Sequence, residues 1–128
     1  EQVDMIDRKT LNEFLSTKLI DRIIASQLVM REKRFTARLK PSDVFDEYKG
    51  VKTDVTVIIQ GAVDLAFVED GKLVIVDYKT DRVKDITKLA GLYKKQLYLY
   101  KSAMEQSEEL TVKECILCSI HLGAYITV

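Results

Sequence analysis

The apolar residues Leu11, Phe14, Leu15, Leu19, Ile23, Ile24 and Leu28 recur at three- and four-residue intervals between Thr10 and Met30, the spacing that gathers side chains on one face of an α-helix. Thr10, with Glu13 three residues later, supplies an N-terminal capping pattern. The run "RFTARLK" alternates as a half-buried strand does, and Pro41 ends it. The polar stretch "PSDVFDEYKGVKTD" reads as a loop with one short helical turn. Three strands are predicted next, at about 54–60, 61–69 and 72–79, with Gly61 bending or bulging the chain between the first two. Leu89, Leu92, Tyr93, Gln96, Leu97, Tyr100 and Met104 mark a second long helix, expected to fray near Gln106, and a last strand is predicted at about 112–120.

This order of helix, strands, helix, strand is an α/β pattern, in which the last strand returns to the sheet by a crossover over the second helix. A length of 128 residues suits one compact domain. Twenty basic and twenty acidic residues cancel, so nothing global draws the chain to a polyanion, and any nucleic-acid surface must come from local clustering. No apolar run is long enough to span a bilayer. Two cysteines and no signal-peptide pattern favour a reducing, intracellular setting. The chain opens on Glu1 rather than Met, which reads as a piece of something longer. It contains no Walker-type phosphate loop, so an ATP motor does not reside in these residues.

Chemistry enters through the hairpin. Asp70-Gly71 between two apolar runs is the strongest short-range signal for a two-residue turn. Counting outward from it pairs Glu69 with Lys72, Val68 with Leu73, Leu65 with Val76, and Asp64 with Asp77. Like charges directly opposite on a sheet repel, so compensation is expected. Lys79, two residues beyond Asp77, shares its face, and a divalent cation between the carboxylates would supply the remaining positive charge. Hard oxygen ligands suit Mg²⁺, which polarises phosphoryl oxygens and acidifies bound water. The competing reading is that Asp64 caps a turn or forms an ordinary structural ion pair with Lys79.

"GAVDLAF", "VIVDYKTDRV" and "QLYLY", taken together, resemble the nuclease domain of bacterial AddA/RecB-type helicase–nucleases, within the PD-(D/E)XK superfamily. The elements G-x-x-D, D-x-K and Q-x-x-x-Y stand in the family's order and spacing. The resemblance implies a restriction-endonuclease-like core, a central mixed sheet flanked by two long helices, acting as a metal-dependent deoxyribonuclease. It implies Asp64, Asp77 and the main-chain carbonyl of Tyr78 as ligands of Mg²⁺, with Mn²⁺ or Ca²⁺ able to substitute in binding. Lys79 corresponds to the catalytic lysine, and Gln96 and Tyr100 to the helix pair lining the cleft. Lys79, Gln96, Tyr100 and Arg82 are the expected DNA contacts, and Glu32 in "REKRF" a secondary site residue. The family further implies a bacterial, cytoplasmic protein that processes double-strand breaks with an AddB-like second subunit, using ATP only through a motor domain outside this chain. Many relatives carry a metal-contacting histidine near the first helix, where this chain has none, which puts full activity of the isolated chain in question.

Other candidates read as structural. Cys115 and Cys118 are three apart on a strand and point to opposite faces, so the C-x-x-C spacing is that of buried thiols rather than a zinc or iron–sulfur site. His121, the one histidine, is expected to be structural or at the surface. Two basic runs, Arg31, Lys33, Arg34, Arg38 and Lys40, then Arg82, Lys84, Lys88, Lys94 and Lys95, are either phosphate contacts or solvated faces. The alternative from another functional class is a non-catalytic DNA-binding or subunit-docking module that keeps the nuclease fold.

Overall fold

The computed structural model describes residues 18–128. Its elements are α1 (Lys18–Ala25), β1 (Val29–Leu39), α2 (Pro41–Val44), a 3-10 turn (Asp46–Tyr48), β2 (Val57–Glu69), β3 (Lys72–Lys79), α3 (Ile86–Glu108), β4 (Val112–Ser119) and β5 (Ala124–Thr127). The five strands form one sheet in the order β1-β2-β3-β4-β5. All neighbours are antiparallel except β3 and β4, which are parallel and joined through α3.

The β2–β3 bend is built as its sequence demands. Asp70 has φ 55° and Gly71 φ 74°, the two positive values a type I′ turn requires. Glu69 faces Lys72, Val68 faces Leu73, and Leu65 faces Val76, the register counted from the turn.

Alternation along the strands divides the core into two layers. Phe35, Ala37, Val63, Leu73, Ile75, Leu117 and Cys115 pack with Leu89, Leu97, Ala103 and Met104 of α3. On the other face, Leu65, Phe67, Val74, Val76, Ile116 and Cys118 pack with Leu19 and Ile23 of α1. The sheet therefore lies between helices, and the cysteines stand on opposite faces as predicted. Burial raises the Cys115 thiol to about 11 and the Cys118 thiol to about 12, so both stay protonated at neutral pH.

α1 is tied down by charge as well as by Leu19. Arg22 donates to both oxygens of Glu69, at 3.0 and 2.9 Å, and to Glu114 at 2.6 Å. Lys113 adds a 2.6 Å contact to Glu69. The hydrogen bonds from Arg22, then Lys113, hold the Glu69 carboxyl at about 2, well below the usual carboxylate range.

Several boundaries differ from the sequence expectation, each for a tertiary reason. The Thr10 cap and Leu11, Phe14 and Leu15 lie outside the described residues. The first helix ends at Ala25 rather than Met30, and β1 begins at Val29 rather than near Arg34. Ser26 causes this, its hydroxyl donating to the Val68 carbonyl at 2.7 Å and accepting from the Leu28 amide at 3.2 Å. The chain is thereby delivered onto the end of β2, where Val29 pairs with Phe67. Leu92, counted in the apolar stripe of the second helix, is 66% exposed. That helix does not fray at Gln106. The Gln106 amide accepts from the Arg38 N–H at 2.7 Å and donates to the Arg38 carbonyl at 2.8 Å, and Glu109, at φ 56°, closes the end three residues later. β5 was not anticipated. Its four residues are too few for a periodic signal, and β4 supplies the partner.

Gly61 neither bends nor breaks the chain, because β2 runs through it as one strand of 13 residues. A Cβ there would stand 2.8 Å from the Phe35 ring, which lies across the glycine with its edge toward Tyr100, centroids 5.4 Å apart. Gly61→Ala is expected to destabilise the protein by roughly 1–3 kcal/mol, the usual cost of overpacking. Urea unfolding with an unchanged midpoint would show that the ring can move aside.

Candidate active site

The site forms where the β2–β3 ladder stops. Beyond Leu65 and Val76 the strands no longer pair. There the Asp64 carboxylate meets the β3 backbone, its Oδ2 accepting the Tyr78 N–H at 2.7 Å. The sequence expectation of direct ladder pairing between Asp64 and Asp77 is thus modified. Asp64 is nevertheless near enough to Asp77 to help raise its pKa.

A change of pleat phase makes this possible. On β2, Ile59 and Val63 face α3, but so do Ala66 and Val68, so the alternation shifts near Asp64. On β1, Phe35 and Ala37 face α3, and so does Met30, giving a matching shift near Glu32. Arg31 pairs with Leu65 and Lys33 with Val63, which leaves Glu32 across from Asp64 without a bridge between them. Glu32 takes φ 47°, a left-handed conformation that side-chain-bearing residues adopt at a cost of roughly 1–2 kcal/mol. Without the shift, the phase of Ile59 and Val63 would send Asp64 to the α1 side of the sheet. Glu32 itself is exposed.

Asp77 projects from β3 toward α3 and is only 4% exposed. Burial, then the neighbouring Asp64 carboxyl, raises its pKa to about 6, against the pull of Lys79. Its Oδ2 is buried with no hydrogen bond directed at it. Lys79 Nζ stands 3.2 Å from that oxygen, an ion-pair distance lying off the hydrogen-bond direction. The ammonium donates instead to Gln96 Oε1 at 2.8 Å and sits 4.1 Å from the centre of the Tyr93 ring. The structural alternative of an Asp64–Lys79 ion pair is replaced by Asp77–Lys79.

Gln96 and Tyr100, the predicted helix pair, share the sheet-facing side of α3. Gln96 reaches Lys79, whereas Tyr100 packs on Phe35, and its phenol pKa is raised by burial and by the charges of Asp77 and Asp64. Arg82 is exposed between β3 and α3. His121 is exposed in the turn after β4. Of the basic runs, Lys33 lies 3.7 Å from Glu108 and Lys95 3.8 Å from Asp46, Arg34 and Arg38 are exposed on β1, and Lys40 is exposed just after it. Two residues near Lys79 were not singled out from the sequence as site residues, Tyr93 and Asp81. Tyr93 precedes Gln96 by three positions, so the same helical face that carries Gln96 carried the signal.

This donor set fits a hard cation. An undonated, buried carboxylate oxygen beside a second carboxylate lacks positive charge, and one ammonium does not balance two acids. Among the described residues no cluster of three or more His, Cys, Asp or Glu side chains converges, so a divalent ion held here by the two carboxylates would need other oxygens to complete its shell. No described helix is long and apolar enough to cross a membrane.

The chain also has named relatives. The chain is similar to an ATP-dependent helicase/nuclease subunit of Clostridium acetobutylicum, 29% identical over 130 residues and all of this chain. The corresponding subunits of Clostridium botulinum and Geobacillus thermodenitrificans are 32% and 33% identical, over 100% and 93% of this chain. The chain spans about a tenth of the length of these relatives, 10% in each case. The sequence profile of the PD-(D/E)XK nuclease superfamily matches residues 2–124. With that match, and a mixed sheet between helices bearing G-x-x-D, D-x-K and Q-x-x-x-Y in order, the chain belongs to the PD-(D/E)XK nuclease superfamily.

Proposed function

We propose that this chain is a single Mg²⁺-dependent DNA nuclease domain, part of a larger helicase–nuclease subunit, and that it hydrolyses phosphodiester bonds. The observation that carries the reading is the buried Asp77 Oδ2, without a directed donor, placed beside Asp64 and Lys79. Asp64 and Asp77 would hold the ion. The Tyr78 carbonyl would be a third ligand, since a strand residue turns its N–H and C=O toward the same neighbour and the Tyr78 N–H already points to Asp64. When bound, the ion supplies Lewis acidity at a phosphoryl oxygen and lowers the pKa of water.

The chain's own residues do the rest. Lys79 presents a compact positive charge to the negative charge that develops on the phosphoryl oxygens, or holds the attacking water. Gln96 fixes the ammonium by its 2.8 Å hydrogen bond, Tyr100 closes the wall of the cleft, and exposed Arg82 contacts backbone phosphate. In the whole protein the domain would cut DNA delivered by an ATP-driven motor during double-strand break processing, in the bacterial cytoplasm, with an AddB-like partner subunit.

Cleavage of end-labelled DNA by the full protein tests this. Mg²⁺ or Mn²⁺ should restore cleavage after EDTA treatment, with rates that saturate in metal and fall with rising salt. Undiminished cleavage in EDTA, or no cleavage at any metal concentration, overturns the assignment.

A further inference from the structure

Lys79 is a flexible side chain doing a job that needs one position. A lysine carries about 2 kcal/mol of rotamer entropy, and the ion pair with Asp77 does not fix it, because that contact is off-axis. Left to Asp77 alone, the ammonium would settle onto Oδ2, the oxygen that an ion needs. Two contacts from α3 hold it back, the Gln96 carbonyl at 2.8 Å and the face of Tyr93 at 4.1 Å from the ring centre. The second lies well inside the range of a cation–π attraction, which strengthens as water is excluded, and Lys79 is only 18% exposed at its side chain.

The ring is itself held. The Tyr93 hydroxyl donates to Asp81, 3.0 Å from one carboxylate oxygen and 2.9 Å from the other. Asp81 lies in the segment joining β3 to α3, only two residues past Lys79. That segment is anchored at its far end by Asp85, which caps α3 by accepting the Lys88 N–H at 3.0 Å and also takes the Thr87 hydroxyl. The bond to Asp81, the largest influence on the Tyr93 phenol, raises its pKa, so Tyr93 stays a neutral donor at working pH and is not a general base.

We infer that Tyr93, oriented by Asp81, is a positioning residue that holds the Lys79 ammonium off the carboxylate pair and aimed at the reacting phosphate. The catalytic half of this statement rests on the nuclease reading above; the physical half does not. Tyr93 and Gln96 are three apart on α3, so one helical turn supplies both restraints, and the helix rather than the hairpin sets where Lys79 points.

The test uses the full chain carrying Tyr93→Phe, Tyr93→Leu or Asp81→Asn, labelled with ¹³C at lysine ε-carbons and kept metal-free. The Lys79 ε-methylene signal, identified by its loss in Lys79→Arg, should be shifted upfield by the ring current of Tyr93. The shift should be largely kept in Asp81→Asn, whose amide oxygen still accepts from the hydroxyl, weaken in Tyr93→Phe, which keeps the ring but loses that bond, and vanish in Tyr93→Leu. In the cleavage assay Tyr93→Leu should lower kcat by about 10-fold or more, the effect typical of losing an orienting partner, with KM for DNA within about twofold and Tyr93→Phe falling between Tyr93→Leu and the parent. A Lys79 signal that is not ring-shifted, or is unmoved in a folded Tyr93→Leu protein, overturns the inference, as does a Tyr93→Leu kcat equal to the parent's. If the parent itself fails to cut DNA, the nuclease reading fails, and the lysine signal still decides whether Tyr93 holds Lys79.

Discussion

Asp77→Asn is expected to abolish cleavage, by roughly three orders of magnitude given what one charge-stabilising contact contributes, and at the same time to make the metal-free protein more stable. Both effects have one origin. Asp77 is 4% exposed and stands beside Asp64, so its charge suits an ion and burdens the empty fold. Its pKa rises from an ordinary 3.8 to about 6, through burial first and Asp64 second. The native state therefore binds a proton more tightly than the unfolded chain. For a group raised in this way, the favourable contribution is complete below about 3.8 and is lost as pH climbs through about 6. The loss is on the order of 3 kcal/mol at pH 8. Asparagine, neutral at every pH, escapes it. Urea unfolding in EDTA should find the variant and parent nearly equal near pH 4 and the variant more stable near pH 8. Excess Mg²⁺ should then raise the stability of the parent alone, since only a protein that binds the ion gains from mass action. A variant less stable than the parent at pH 8 would mean that Asp77 serves the fold rather than an ion.

Lys79→Met should separate chemistry from metal binding. Its removal takes away a positive charge 3.2 Å from Asp77 Oδ2, one that repels an incoming cation. Metal affinity, read by calorimetry with Mn²⁺, should hold or rise. Cleavage should nevertheless fall by about 10²–10³-fold, because the ammonium that would meet the charge developing on the phosphate is gone. Gln96 loses its 2.8 Å donor, at a cost of about 1–3 kcal/mol for a polar group left unpaired, so the variant should also melt earlier. Lys79→Arg should rescue poorly, since a planar fork does not fit between the Gln96 carbonyl and the Tyr93 face as a compact ammonium does. Loss of metal binding in Lys79→Met would place the lysine in the structure of the ion site and remove its separate role.

Much of this site could be read from the chain because its chemistry is local in register. Asp70-Gly71 admits one turn geometry, and the turn fixes the count from Glu69–Lys72 to Leu65–Val76, with Asp64 and Asp77 next in line although the ladder itself stops before they pair. The α/β class followed from periodicities that change from about four residues to two and back, and the restriction-endonuclease-like core from the resemblance carried by the three motifs. The two thiols fell on opposite faces because a strand permits nothing else three residues apart. Boundaries set by distant partners did not follow. Ser26 ends α1 by bonding to Val68, Gln106 extends α3 by bonding to the Arg38 backbone, and β5 exists only because β4 offers an edge.

The sequence by itself determined the charged groups, the hairpin that carries them, and the family they announce. The tertiary structure alone decided that Gly61 makes room for a ring instead of a bend, that β1 and β2 shift phase together at Glu32 and Asp64, and that Lys79 rests against Tyr93. The reason is distance along the chain. Turn and alternation are settled by neighbours a few residues apart, whereas a ring over a glycine or an ammonium over a phenol depends on where a remote helix or strand comes to rest once the core is packed.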